Sequence, residues 1–199
     1  TLMGRLIRKG YLPDPQILFC AVGDANSDKY PLQVGQFESG VEMDGDLSRF
    51  IIEGSGGGQD MESYDLMAYI GARKTAIDCL EKRGKRGYFF FIGDERTYPE
   101  VLKSHIMSLI GDPLEANIPT KKIFEELREK FNVFYILPKG ANHGGDSLMI
   151  SHWKELVGPE NVLELGNAEA AAELIASQIG LCEGADVDTV TKDLTDVGT

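Results

Sequence analysis

Nine residues, Gly87-Tyr88-Phe89-Phe90-Phe91-Ile92-Gly93-Asp94-Glu95, constrain this chain more than any other stretch. Five aromatic or aliphatic side chains in a row, bounded by glycines, predict a strand buried on both faces, as at the centre of a parallel sheet. The run stops at Gly93 and delivers two carboxylates, Asp94 and Glu95, to the strand's C-terminal end. Ligands of open α/β sheets bind along that edge. An acid pair held there points to a cation or polar-ligand site.

A glycine-rich loop, Gly54-Ser55-Gly56-Gly57-Gly58-Gln59, lies upstream and leads into a helix from about Asp60. Such a loop can present backbone N–H groups to an anion, with the helix dipole assisting. It lacks the Gly-Lys-Ser/Thr ending of a Walker loop and the spacing of a dinucleotide fingerprint. Gln59, Glu62 and Ser63 open the helix that follows. Acids in a first turn ordinarily serve as caps and dipole partners. The alternative is that these residues lend oxygens to a hard cation near Asp94. Mg²⁺ suits that role, because it takes few carboxylates and keeps several waters.

The rest of the chain alternates strands with helices. Residues 2–9 predict a helix closed by Gly10, and 16–22 a buried strand ending at Gly23-Asp24, so that a second carboxylate reaches a strand terminus. Leu32 to Phe37 alternates apolar with polar residues, the pattern of a half-exposed antiparallel edge strand. Residues 60–83 carry an apolar stripe of Leu66, Ile70, Ile77 and Leu80 and predict the longest helix. Pro99 is expected to begin a helix closed by Gly111, and Thr120 to cap another over 121–131. A strand over 132–137, a helix over 147–157 and a strand over 161–165 follow. The last helix runs from an Asn167 cap to Gly180, and residues 183–199 read as a frayed acidic tail.

This order predicts an α/β fold, a Rossmann-like three-layer sandwich whose mostly parallel central sheet has an antiparallel edge strand. It divides the chain into a domain over 1–182 and a tail or linker over 183–199. Thr1 is not a start methionine, and the numbered chain is expected to begin partway into a larger protein.

Composition narrows the function. At 199 residues the core can stand without staples, and a net charge of −12 makes a nucleic-acid backbone an unfavourable partner. The basic turn Lys82-Arg83-Gly84-Lys85-Arg86-Gly87 reads as a solvated loop after a helix C-terminus. No apolar run approaches the roughly 20 residues that span a bilayer, so no membrane partner is expected. Cys20, Cys79 and Cys182 read as free thiols in a reducing, cytoplasmic setting. His105, His143 and His152 lack metal-ligand spacing, although His143 follows a strand at the same sheet edge as Asp94. No serine or cysteine sits in a nucleophile elbow.

Taken together, these segments resemble a von Willebrand factor A-like (vWA) domain of the bacterial or phage type. The strand and acid Phe89 to Glu95 are similar to that family's third metal-site loop, and Gly54 to Gln59 with its helix to the second. Phe19-Cys20-Ala21-Val22-Gly23-Asp24 and the edge strand after it resemble the early sheet. The family's first motif, Asp-x-Ser/Thr-x-Ser, and the strand before it are absent from this sequence. So is the second-loop threonine, with Gln59 in about its place. Without that strand the sheet is expected to split, unless a preceding segment supplies it. The resemblance implies a noncatalytic protein-interaction module, Mg²⁺-assisted through a metal-ion-dependent adhesion site, with Asp94 as the leading metal residue and Gln59, Glu62 and Ser63 supporting. It also implies a protein partner, such as a MoxR-type AAA+ ATPase or an assembly subunit. Two rival readings remain. One is a nucleotide-binding or metal-dependent hydrolytic enzyme using the glycine loop, Asp24, Asp94 and His143. The other is a metal-free domain with a purely structural role.

Overall fold

The computed structural model describes residues 2–40, 42–53, 60–141 and 145–195, which form a mixed α/β structure. Helix α1 (Leu2–Arg8) precedes an antiparallel hairpin of β1 (Cys20–Val22) and β2 (Leu32–Val34), then α2 (Glu42–Arg49). Next come β3 (Met61–Glu62), α3 (Tyr64–Arg73), α4 (Asp78–Arg83) and β4 (Gly87–Ile92). Short strands β5 (Arg96–Thr97) and β6 (Glu100–Val101) lead to α5 (Lys103–His105), which runs into a π-helical turn over Ile106–Ile110. After β7 (Ile118–Pro119) the chain enters α6 (Thr120–Lys130), β8 (Phe131–Pro138), α7 (Ser147–Val157), β9 (Val162–Leu165), α8 (Ala171–Cys182) and α9 (Val187–Thr195).

The aromatic run is indeed a strand, but β8 is the middle of the sheet. β4 and β9 flank it, all three parallel, with Gly87 opposite Phe131 and Ile92 opposite Ile136. Among the described residues no strand pairs with the other edge of β4. The two faces of β4 are both packed, as its sequence requires. Phe89 and Phe91 join the main cluster with Leu66, Phe124, Leu127 and Trp153 from α3, α6 and α7. Tyr88 and Phe90 pack on the opposite face against Leu6 of α1 and Ala176 and Ile179 of α8. Parallel strands with helices on both sides are compatible with a three-layer α/β fold.

The hairpin stands apart from this sheet. β2 is antiparallel, as its alternation predicts, yet β1 and β2 bond only to each other among the named strands and form no edge of the three-stranded sheet. Cys20, Val22 and Leu32 still pack against the main cluster, so the hairpin is tied to the body by side chains.

Several predicted elements differ. The helix expected over 60–83 is broken into β3, α3 and α4. Thr75 Oγ1 donates to the Gly71 carbonyl at 2.6 Å and Lys130 Nζ to the Thr75 carbonyl at 2.8 Å, and the chain turns extended at Ile77. A hydroxyl that bonds back to the preceding turn competes with helix continuation. The helix expected at Pro99 starts only at Lys103, because Glu100–Val101 pair with Ile118–Pro119. Its first amide is met by Asn117 Oδ1 at 3.1 Å. Helix α8 passes through Gly180, its expected end, to Cys182; the glycine serves instead a close approach of the Tyr11 ring, where a Cβ would meet ring carbons at 2.7 Å. Residues 187–195, expected to be frayed, form α9, with Val190 only 4% exposed. Helices α6 and α7 fall where the sequence places them, but Thr120 does not cap α6: it is the first helical residue, and its hydroxyl donates to the Tyr98 carbonyl at 2.7 Å. Asn167 Oδ1 accepts from the Glu169 amide as a cap.

Candidate functional site

The C-terminal end of β4 opens into a bend at Gly93, Asp94 and Glu95, and aromatic side chains hold it in place. Gly93 sits against the Tyr64 hydroxyl, and a Cβ there would also come within 3.0 Å of Tyr64 Cζ. The Glu95 carbonyl accepts from Trp153 Nε1 at 2.9 Å and from the Tyr135 hydroxyl at 3.3 Å. Trp153 is fully buried and stacks on Tyr135 with ring centroids 3.8 Å apart. The acid pair therefore leaves the strand from a rigid platform.

A second chain segment arrives at the same rim. Arg96 donates its amide to the Asp60 carbonyl at 3.1 Å, and β3 pairs with β5 so that Glu62 lies opposite Thr97. Burial first, then the negative charges of Glu95, Asp28, Asp24 and Asp94, push the Glu62 carboxyl up to about 8. Its Oε2 is buried with no hydrogen-bond partner among the described residues. Asp65, in the first turn of α3, is 2% exposed, and its Oδ1 likewise has no partner there. Burial, reinforced by the charge of Asp24, raises it to about 7. Uncompensated buried carboxylates favour their protonated form, or a cation that replaces the proton.

The third contributor is the turn after β1. Asp24 is 3% exposed, and its carboxylate accepts from the Asn26 amide at 2.9 Å, the Ser27 hydroxyl at 3.0 Å and the Tyr98 hydroxyl at 2.9 Å. Burial alone would raise its pKa, but those donors outweigh burial and lower it. Asp28 Oδ2 receives the Asp24 amide at 2.7 Å, which closes the turn. Ser63 fastens this turn to α3: its Oγ accepts from the Ala25 amide at 2.9 Å and its own amide donates to Gly23.

The structure thus brings Glu62 and Asp94 into one electrostatic neighbourhood and gives Ser63 a bracing task. Gln59, the loop Gly54 to Gln59 and His143 lie outside the described residues. Asp24, which the hydrolase reading needs as a free ligand, has its oxygens engaged within the fold. His152 is half-buried, and its Nε2 accepts from the Thr97 amide at 3.3 Å. Burial and the Arg96 charge depress its pKa and keep the imidazole neutral for that bond. Cys20, Cys79 and Cys182 are free; the first two are half-buried and Cys182 is exposed. Among the described residues no three His, Cys, Asp or Glu side chains converge closely enough to hold a metal ion by themselves. None of the described helices is long and apolar enough to cross a membrane.

Sequence reasoning missed Tyr98, Asp28, Trp153 and His152 as organisers of this rim. The run Asp24-Ala25-Asn26-Ser27-Asp28 is a turn signal that identifies the Asx turn, but the other partners come from distant segments. Compared with known proteins, the chain matches no family model, no curated protein and no solved structure.

Proposed function

We propose that this chain is a noncatalytic protein-interaction module of the von Willebrand factor A type, working in an intracellular assembly with a hard cation at the β4 rim. The finer architecture that goes with this reading is a Rossmann-like three-layer sandwich, in which β2 would be the antiparallel edge if a further strand bridged the hairpin to β4. The observation that carries it is the buried, unpartnered Glu62 Oε2 among the charges of Asp94 and Glu95. The donor chemistry fits Mg²⁺, which is held through one or two carboxylates and otherwise keeps its waters. It does not fit a closed protein cage, which needs more converging ligands. Glu62 and Asp94 would hold the ion, and an acidic side chain of a protein partner, such as a subunit of a MoxR-type AAA+ ATPase, would replace one water. The separation of the β1–β2 hairpin from the parallel sheet supports the same reading, because the resemblance expects a split there.

Calorimetric titration of the protein with MgCl₂, MnCl₂ and ATP tests this. The expected result is saturable cation binding that Asp94→Ala and Glu62→Gln each abolish, with no ATP binding. ATP binding or turnover would overturn the reading in favour of an enzyme. Silence toward both cations would leave a structural domain and remove the cation from the proposal.

A further inference from the structure

At the end of the sheet opposite the acidic rim, where β8 begins, lies a cavity of about 360 Å³. That volume falls in the range of small-molecule sites. It is lined by Arg86, from the basic turn before β4, Arg128 from α6, Asn132 and Phe134 from β8, and Gln178 from α8. We propose that this cavity binds a small anion, a carboxylate or phosphate carried on an apolar body.

Both arginines lack a carboxylate partner among the described residues of an acidic chain. The chain has 32 acidic against 20 basic side chains, so partners for a cation are plentiful. Arg5, Arg49, Arg73 and Arg96 all pair with carboxylates. Arg86 and Arg128 make no ion pair among the described residues; the same is true of the exposed Arg8 and Arg83, but Arg86 and Arg128 both line one cavity. Glu160 also lines the cavity, but its carboxylate folds back against Gly158, where a Cβ would meet Oε1 at 2.9 Å. Helices α6 and α7 end nearby, and their carbonyls are the ordinary reason for basic residues at such a place. Arg86 Nη1 answers that need with one bond, to the Arg128 carbonyl at 3.3 Å. A guanidinium has five N–H donors, so most of this fork is left over, as is that of Arg128. Two guanidinium groups lining one cavity make it favourable to an anion, and their planar forks match a carboxylate or phosphate. Buried Val133, Phe134 and Val157 supply the apolar floor. Amide groups of Asn132 and Gln178 add neutral donors.

The test is an amide-resolved NMR titration of the whole chain with phenyl phosphate, benzoate, inorganic phosphate and, as a neutral control, benzyl alcohol at matched ionic strength. Phenyl phosphate or benzoate should saturate with a dissociation constant of about 1 mM or tighter, with shifts confined to residues 86–87, 128–134 and 178–182. Whichever of the two binds more tightly tells phosphate from carboxylate. Arg86→Gln with Arg128→Gln should weaken that binding at least about tenfold, and both sites are exposed enough for far-UV circular dichroism to stay unchanged. No saturation, equal binding of benzyl alcohol, equal binding of inorganic phosphate, or shifts located at Asp94 would each overturn the proposal. Because the cation titration concerns the opposite end of the sheet, failure there leaves this result standing, and the converse holds.

Discussion

The hydroxyl of Tyr98 meets the Asp24 carboxylate at 2.9 Å across 74 positions of sequence. That bond joins the turn after β1 to the segment after β4 and is one of the ties that make the rim a single unit. Removing it by Tyr98→Phe should cost about 1.5–3 kcal/mol, the usual range for a hydrogen bond to a charged group. The Asp24 pKa, followed by carboxyl-carbon NMR, should rise at the same time. Unchanged stability together with an unchanged Asp24 titration would show that the tie is idle in solution.

Gly93 is required by the approach of Tyr64. Gly93→Ala should destabilise the protein by about 1–3 kcal/mol through overpacking. Most of that should be recovered in the double variant with Tyr64→Phe, which removes the nearest atom. Urea denaturation of the four proteins in the cycle measures the coupling, and simple additivity would contradict the close contact.

Stability should fall as the pH rises through neutrality. Glu62 and Asp65 bind their protons more tightly when folded, so each stabilises the fold fully below its unfolded value, 4.5 and 3.8 respectively. That contribution is lost as the pH approaches about 8 for Glu62 and about 7 for Asp65. Asp24 acts in the opposite sense: its lowered pKa stabilises the protein above 3.8 and stops doing so as the solution becomes more acidic. Melting temperatures should therefore peak in mildly acidic buffer. Glu62→Gln should flatten the decline toward pH 8, and a profile as steep as the wild type would exclude Glu62 as its source.

If a cation occupies the rim, magnesium should reverse that alkaline loss in the wild type and not in Asp94→Ala. Thermal melts at pH 8 with and without MgCl₂ read this directly. The shift should grow with the logarithm of free cation once the site is saturated.

Trp153 links the core to the rim through its indole N–H. Trp153→Phe keeps most of the apolar burial but releases the Glu95 carbonyl, and should cost about 1–3 kcal/mol. Faster amide exchange at Glu95 and Arg96 than in the wild type is the accompanying sign. Exchange unchanged at those amides would place the anchor elsewhere.

Much of this architecture is legible in the sequence because it is local. The aromatic run of β4 and the helices expected over 121–131 and 147–157 each state their structure within a dozen residues. Breaks set by distant contacts are not legible. The apolar stripe of residues 60–83 runs straight across the interruption at 74–77, whose cause includes a lysine from α6. The site divides the same way. Acids at strand ends announce Asp94 and Asp24, but nothing near Asp24 says that Tyr98 occupies its oxygen. Nor does the sequence near Ser63 say that its hydroxyl is engaged by Ala25, 38 residues away. An acid's address can be read from its neighbours in the chain, whereas its vacancy depends on who folds against it.

The outer margin of β4 has a practical consequence. Its six residues, three of them phenylalanine, present main-chain donors and acceptors that no described strand takes up. Such a ribbon templates further ribbons. Concentrated samples should therefore gain intermolecular cross-strand order with storage, and a lysine at Tyr88 or Phe90 would slow that ageing at the expense of the α1–α8 side of the core.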